Sequence, residues 1–253
     1  MNNLKILIII FFLVLLSCKT ENEKRVIPAN TEQLLIVITD SVSSSSGLIY
    51  GFEKLSEDAN FTQVFNGFKI SLGKNGLAWG KGLHPINADM EDFKKEGDMK
   101  SPAGVFLLES VFGFKPVGKM NHLKMPYLQI TEMLECVDDK NSKYYNKIIE
   151  RNKVDTIDWN SSEKMMKYGK WYEQGVVVAH NKVETESGCG SCIFIHNMVE
   201  LNETTVGCTE IDTVNLKIII NWLDIKKTPI FVQLSLGDYQ IYKNKWELPL
   251  IKE

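Results

Sequence analysis

The stretch Cys192-Ile193-Phe194-Ile195-His196 and, after it, Thr205-Val206-Gly207-Cys208-Thr209 decide how the rest of the chain is read. Residues 192–195 have the apolar, branched and aromatic character of a short buried strand, and His196 stands at its end, where side chains become exposed. Gly207 permits a tight turn ahead of Cys208, and the apolar periodicity over 211–224 predicts an amphipathic helix directly afterwards. A cysteine attacks carbonyls as its thiolate, and a neighbouring imidazole takes the thiol proton and later delivers it to a leaving amine. Backbone N–H groups around Cys208 are the natural donors to an oxyanion. These are the residue types that acyl transfer needs. The pair alone does not establish it, because a buried Cys beside a structural His gives the same pattern.

Working outward, branched and apolar runs predict strands at 175–179, 230–234, 105–108 and 34–38, the last ending in the serine-rich loop 43–47. Alternation over 68–79, interrupted at Gly73 and Gly76, predicts a bent hairpin, and 80–100 a long Gly- and charge-rich loop. Helix-like spacing at 142–151 and 161–168 predicts short surface helices. The expected fold class is mainly β with helical decorations, an α+β domain spanning residues 32–253, with no repeat or compositional break to divide it. Of 253 residues, 44% are hydrophobic and 24% charged, which suffices for a packed core and lies far from disorder. A net charge of -3, with Lys and Arg dispersed, provides no basic stripe and argues against nucleic acid as a partner.

The N-terminus, residues 1–18, reads as an export signal. Lys5 supplies a positive charge, and the unbroken apolar run 6–16 is shorter than the roughly 20 residues that span a bilayer. Its ending, Leu15-Leu16-Ser17-Cys18, resembles a bacterial lipobox, and that resemblance implies that Cys18 carries the lipid anchor of the mature protein. Residues 19–31, polar and without periodicity, are expected to form a flexible tether. The domain is then expected in the cell envelope outside the cytoplasm, on the periplasmic side of a membrane. There the remaining cysteines, Cys136, Cys189, Cys192 and Cys208, meet oxidising conditions.

Several separated motifs resemble one family in the right order. Gly190-Ser191-Cys192-Ile193-Phe194-Ile195-His196 leading to Thr204-Thr205-Val206-Gly207-Cys208-Thr209 is similar to the active-site stretch of the L,D-transpeptidase (YkuD-like) family. Gly97-Asp98 followed by Pro102-Ala103-Gly104 resembles its upstream segment, and Asn221-Trp222-Leu223-Asp224 with Pro229 its closing helix and strand. Segments 79–84, 135–139 and 144–146 resemble one branch of the family, so the likeness covers roughly residues 34–236. It implies a β-sandwich or barrel in which a cysteine takes an acyl group from a peptidoglycan stem peptide and passes it to an amine, or to water in an L,D-carboxypeptidase. It further implies Cys208 as nucleophile, His196 as general base and acid, and the Asn197 carbonyl as the group that orients the imidazole. Gly207 and Cys208 would supply oxyanion donors, and Thr205, His180 and Asn181 would line the substrate cleft. No metal or organic cofactor is required.

Two positions depart from the family pattern. Val206 stands where a His is usual, and Glu210 where an Arg usually follows two residues after the cysteine. The second change removes a fixed positive charge suited to a substrate carboxylate. A peptidoglycan-binding envelope lipoprotein without turnover is therefore the alternative reading. Cys189-Gly190-Ser191-Cys192 has the spacing of a redox dithiol or half a zinc site, but it runs into a strand and no second ligand pair completes it. A disulfide from Cys136 to Cys192 or to Cys189 is expected instead. Lys94, Lys95 and Lys100 read either as attractors of stem-peptide carboxylates or as a solvated charged loop. Trp159, Trp171 and Tyr172 read as core or rim aromatics, and His84 and His122 receive no role.

Overall fold

A computed structural model describes residues 25–56, 59–200 and 203–252; the export segment, Cys18 and residues 19–24 of the expected tether lie outside them. In chain order the strands are β1 (Gln33–Thr39), β2 (Ser46–Glu53), β3 (Thr62–Ser71), β4 (Leu77–Trp79), β5 (Ser101–Gly113), β6 (Tyr127–Gln129) and β7 (Leu134–Cys136). They continue as β8 (Ile148–Glu150), β9 (Glu163–Lys164), β10 (Gln174–Val178), β11 (Phe194–Asn197), β12 (Thr209–Ile211) and β13 (Ile230–Ser235). Two α-helices, α1 (Thr213–Trp222) and α2 (Leu236–Tyr242), and short 3-10 turns complete the described residues.

Strands run in the order β10, β11, β12, β3, β2, β1, β13, β5, and β5 pairs again with β10, so that eight strands close into a barrel. The closure depends on β5, whose residues 104–107 pair with β13 and whose residues 108–113 pair with β10. β1 is buried at nearly every position because it lies antiparallel to β2 and parallel to β13 with both faces covered. Such a strand shows a continuous apolar run instead of alternation. Leu34, Ile36, Ile49, Phe106 and Phe231 are fully enclosed in the main core. A small second sheet, in the order β8, β7, β9, lies outside the barrel, and the Cys136–Cys192 disulfide ties its central strand to the residues leading into β11.

The mainly β class is observed, as are strands at every predicted strand position. Four local expectations are corrected. Residues 68–79 do not form a hairpin: β3 pairs with β2 and β12, whereas β4 runs parallel to β5. The intervening turn lets Gly73 approach Met99 O, where an added Cβ would sit 2.5 Å from the oxygen. Residues 142–151 form turns and β8, because Ile148–Glu150 finds ladder partners on β7. In 161–168, β9 is followed by a 3-10 segment, Met165–Tyr172, interrupted at Gly169 (φ 52°). The helix expected over 211–224 is confined to α1, since Ile211 completes β12 and the Asp212 side chain caps the N–H groups of Val214 and Asn215.

The packed chain also begins before the expected boundary at residue 32. Val26 and Ile27, assigned to the tether, are buried in the core together with Thr31. Helix α2 had no sequence signal strong enough to be predicted. Ser235 caps it through Asp238 N–H, and the following Trp246 is fully buried against Trp79 and Tyr242.

Candidate active site

The barrel register brings the two expected catalytic residues together. β11 and β12 run parallel with Ile195 opposite Thr209 and His196 opposite Glu210. Side chains two residues apart on a strand share a face, so Phe194, His196, Cys208 and Glu210 belong to one face of this pair. His196, Cys208 and Glu210 open onto a cavity of about 270 Å³ whose wall also includes Glu163, Tyr168, Trp171, Tyr172, Glu203, Thr205 and Val206.

The backbone around Cys208 is held on several sides. Thr205 Oγ1 accepts the Gly207 N–H at 3.0 Å and donates to Cys208 O at 2.7 Å, and Ser101 Oγ donates to the same carbonyl at 3.2 Å. Ser101 in turn follows a loop organised by Asp98, which accepts from Lys94 Nζ, Lys95 N and Lys100 N. The upstream Gly-Asp segment is thereby linked directly to the cysteine turn. Its Lys94 is buried in an ion pair with Asp98 at 2.6 Å, and Lys100 pairs with Asp92, so these two charges have partners within the loop.

The thiol itself is enclosed. Phe194 N–H donates to Sγ at 3.4 Å, and the S–H donates to Cys192 O at 3.5 Å, so its hydrogen bonds run to backbone and not to the imidazole. Cys192 adopts φ 56°, an uncommon conformation for a non-glycine residue, and its disulfide partner Cys136 anchors it there. Burial, reinforced by the nearby Glu163, pushes the Cys208 thiol well above the usual thiol range. The physical reason is the acidic, desolvated surroundings.

His196 donates from Nδ1 to Asn197 O at 3.1 Å, as expected, which leaves Nε2 as the proton acceptor in that tautomer. Burial pushes its pKa down to about 4, against the opposing effect of the Asn197 carbonyl. The Tyr172 ring lies 5.1 Å from the imidazole centroid, and its hydroxyl donates to Glu163 at 2.7 Å. Burial raises Glu163 to about 8 and, with the Glu203 charge adding to it, Glu210 to about 7. Near neutral pH the resting site therefore holds a neutral thiol beside a neutral imidazole.

Three expectations for the site change. His180 and Asn181 are buried away from the cavity wall and organise a loop instead. His180 Nε2 donates to Cys189 O at 2.9 Å, and Asn181 Nδ2 donates to Glu186 O and Gly190 O. Burial drives the His180 pKa down to about 3. Asn146 bridges this loop to the cysteine region by donating to His180 O and Asn181 O and accepting from Cys192 N–H. The Gly207 N–H, expected as an oxyanion donor, is engaged by Thr205 Oγ1. Tyr172 and Trp171, read as core or rim aromatics, line the cavity, and Trp171 Nε1 donates to Glu203 at 3.3 Å.

Glu163 and Glu203 were absent from the sequence-derived site. Glu163 sits 45 residues before Cys208 in an insert, and no spacing rule connects the two. The disulfide selects Cys192 as the partner of Cys136 and leaves Cys189 a partly exposed free thiol. Among the described residues, no cluster of three or more His, Cys, Asp or Glu side chains is arranged to hold a metal ion, and no helix is long and apolar enough to cross a membrane. The chain matches no family model, no curated protein and no solved structure.

Proposed function

We propose that this chain is a cysteine acyltransferase of the L,D-transpeptidase type, which takes an acyl group from a peptidoglycan stem peptide as a thioester on Cys208 and passes it to an amine. The observation that carries this reading is the placement of Cys208 and His196 on one face of two adjacent parallel strands, both lining the same cavity. The ordered series of motifs and the β-rich barrel support the family assignment. The Leu15-Leu16-Ser17-Cys18 pattern supports a protein held to an envelope membrane through lipidated Cys18, with the domain outside the cytoplasm.

The neutral thiol–imidazole pair sets the order of events. As Sγ attacks the carbonyl carbon, a C–S bond forms, the thiol proton passes to His196 Nε2, and the carbonyl oxygen becomes an oxyanion. Collapse of the tetrahedral intermediate breaks the C–N bond, and the imidazolium returns its proton to the leaving amine. An acceptor amine then attacks the thioester carbonyl and gives one proton to His196, which restores it to the departing thiolate. Water in place of the amine completes an L,D-carboxypeptidase cycle. Sulfur, imidazole and backbone dipoles fill these roles without a metal or organic cofactor.

A peptidoglycan-binding lipoprotein without turnover has its own supporting observations, namely the raised thiol pKa and the engaged Gly207 N–H. Chromatography of the protein incubated with a stem tetrapeptide separates the two. Acyl transfer releases the terminal amino acid, and Cys208→Ala and His196→Ala each lower that release by about a thousandfold or more. Binding of the tetrapeptide by the wild type without any release would establish the second reading.

A further inference from the structure

The cavity beside Cys208 has an unusual charge content. Three carboxyl groups, Glu163, Glu203 and Glu210, line it, and the described wall contains neither Lys nor Arg. Glu163 has the Tyr172 hydroxyl as a partner and Glu203 has the Trp171 indole N–H. Glu210 differs: its residue is only 2% exposed, Oε2 has no hydrogen-bond partner, and Oε1 lies 3.8 Å from His196 Nδ1. An acceptor-only group buried without a donor is costly, and a ligand that brings a charged donor removes that cost. The aromatic rings of Tyr168, Trp171 and Tyr172 add faces that attract cations. A substrate carboxylate placed here would meet three acidic groups and no cation.

We infer that this cavity is a subsite for a primary ammonium group of the substrate, received by the Glu210 carboxylate at the position where the family pattern has an arginine. The inference rests on the proposed acyl transfer for its biological setting, but the binding it describes does not require turnover. Oε2 is shielded from solvent, so the ammonium N–H groups meet it on a rotation of the Glu210 carboxyl towards the cavity, and the aromatic rim screens the contact from water. Charge selection is thereby reversed, from an anionic substrate group to a cationic one.

The test uses Nα-acetyl-lysine amide, a monocation, beside its uncharged norleucine counterpart and the anionic Nα-acetyl-glutamate amide. Binding to the whole protein is followed at pH 8 by titration calorimetry and NMR. The wild type is expected to bind the cation at least tenfold more tightly than either analogue, and Glu210→Gln to lose that preference. Glu210→Arg is expected to prefer the anionic compound. Equal binding of the three compounds by the wild type, or an unchanged cation preference in a folded Glu210→Gln protein, overturns the proposal. Circular dichroism verifies folding, and Glu203→Gln serves as a second variant with a smaller expected loss. Tetrapeptide turnover in the same preparations reads the acyl-transfer proposal separately. Cation binding without turnover refutes acyl transfer alone, and turnover without cation preference refutes the ammonium subsite alone.

Discussion

Two carboxylates with the same burial behave in opposite ways. Glu135, in the small sheet, and Glu210, on the cavity wall, are each only 2% exposed. Burial by itself would raise the Glu135 pKa, but hydrogen bonds from Ser162, Trp159 and Arg151 outweigh it and hold the group below the usual carboxylate range. Glu210 has no such set of donors, and its pKa rises to about 7. Burial therefore does not tell a structural acid from a functional one; the number of donors facing it does. The small sheet is internally satisfied, whereas the cavity wall holds a buried acceptor without a donor, which the inferred ammonium group would supply.

That contrast gives opposite mutational signatures. Glu135→Leu leaves the buried Trp159 indole N–H without an acceptor while the partly exposed Arg151 keeps access to water, and its expected cost is about 2–3 kcal/mol in urea unfolding. An effect below about 1 kcal/mol would break the comparison from the structural side. Removing the Cys136–Cys192 bridge by Cys136→Ser with Cys192→Ser is expected to cost about 3 kcal/mol. It also removes the tether that holds the residue 192 backbone against the Cys208 S–H, so Cys208 alkylation should accelerate in the same variant.

Glu210→Gln should be neutral at acid pH and stabilising in alkali. A carboxyl whose folded pKa of about 7 exceeds its unfolded value makes the folded state lose stability as pH rises from the ordinary carboxyl value of 4.5 towards 7. The variant lacks that loss, so its advantage should grow across this window and level off near 2 kcal/mol, the burial cost being moderated by the water-accessible cavity. Glu135 has the reverse sign: its contribution is present above the unfolded carboxylate pKa and disappears as pH falls through its lower folded value. Thermal melts of wild type and both variants between pH 3 and 9 measure the two slopes. Parallel slopes would remove the distinction. Cation binding at Glu210 should likewise strengthen as pH passes about 7, with Glu163, Glu203, His196 and Cys208 as the other titratable groups facing that carboxyl.

The barrel was readable wherever strand and burial produced one signal. β1, β5, β10, β11 and β13 are branched or aromatic runs enclosed on both faces, and such runs do not depend on distant partners to be recognised. β3 and β4 were misjudged as a hairpin because alternation identifies a strand but not its neighbour, and long-range register decides that. α2 escaped notice for a related reason: its short run is stabilised by Ser235 capping and by docking of Tyr239, Tyr242 and Trp246, not by its own periodicity.

The site divided along the same line. Cys208 and His196 stood out by residue type at a strand end and a turn, but that pair alone did not establish a site; their roles, and that of Thr205, came from the resemblance of this stretch to the family's active-site motif. Asn197 also does what its position next to His196 suggests, through its backbone carbonyl. The acidic wall was illegible because Glu163, Tyr168 and Tyr172 reach the cavity from an insert and Glu203 from the opposite side of the turn, a convergence that only the folded chain creates. His180 resembled a cleft residue at a strand end, yet the loop returning through Cys189 and Gly190 encloses it. Glu210 was visible as a departure from the family pattern, but its open acceptor emerged only from the geometry.

The most direct measurement is intact-mass spectrometry of the protein quenched at successive times after mixing with a stem tetrapeptide, with Cys208→Ala alongside. A transient mass increase equal to the acyl fragment, mapped to Cys208 and missing from the variant, is the expected result. A folded wild type with its thiol reduced that releases product without that adduct, or binds the peptide and never gains the mass, would contradict a thioester on Cys208.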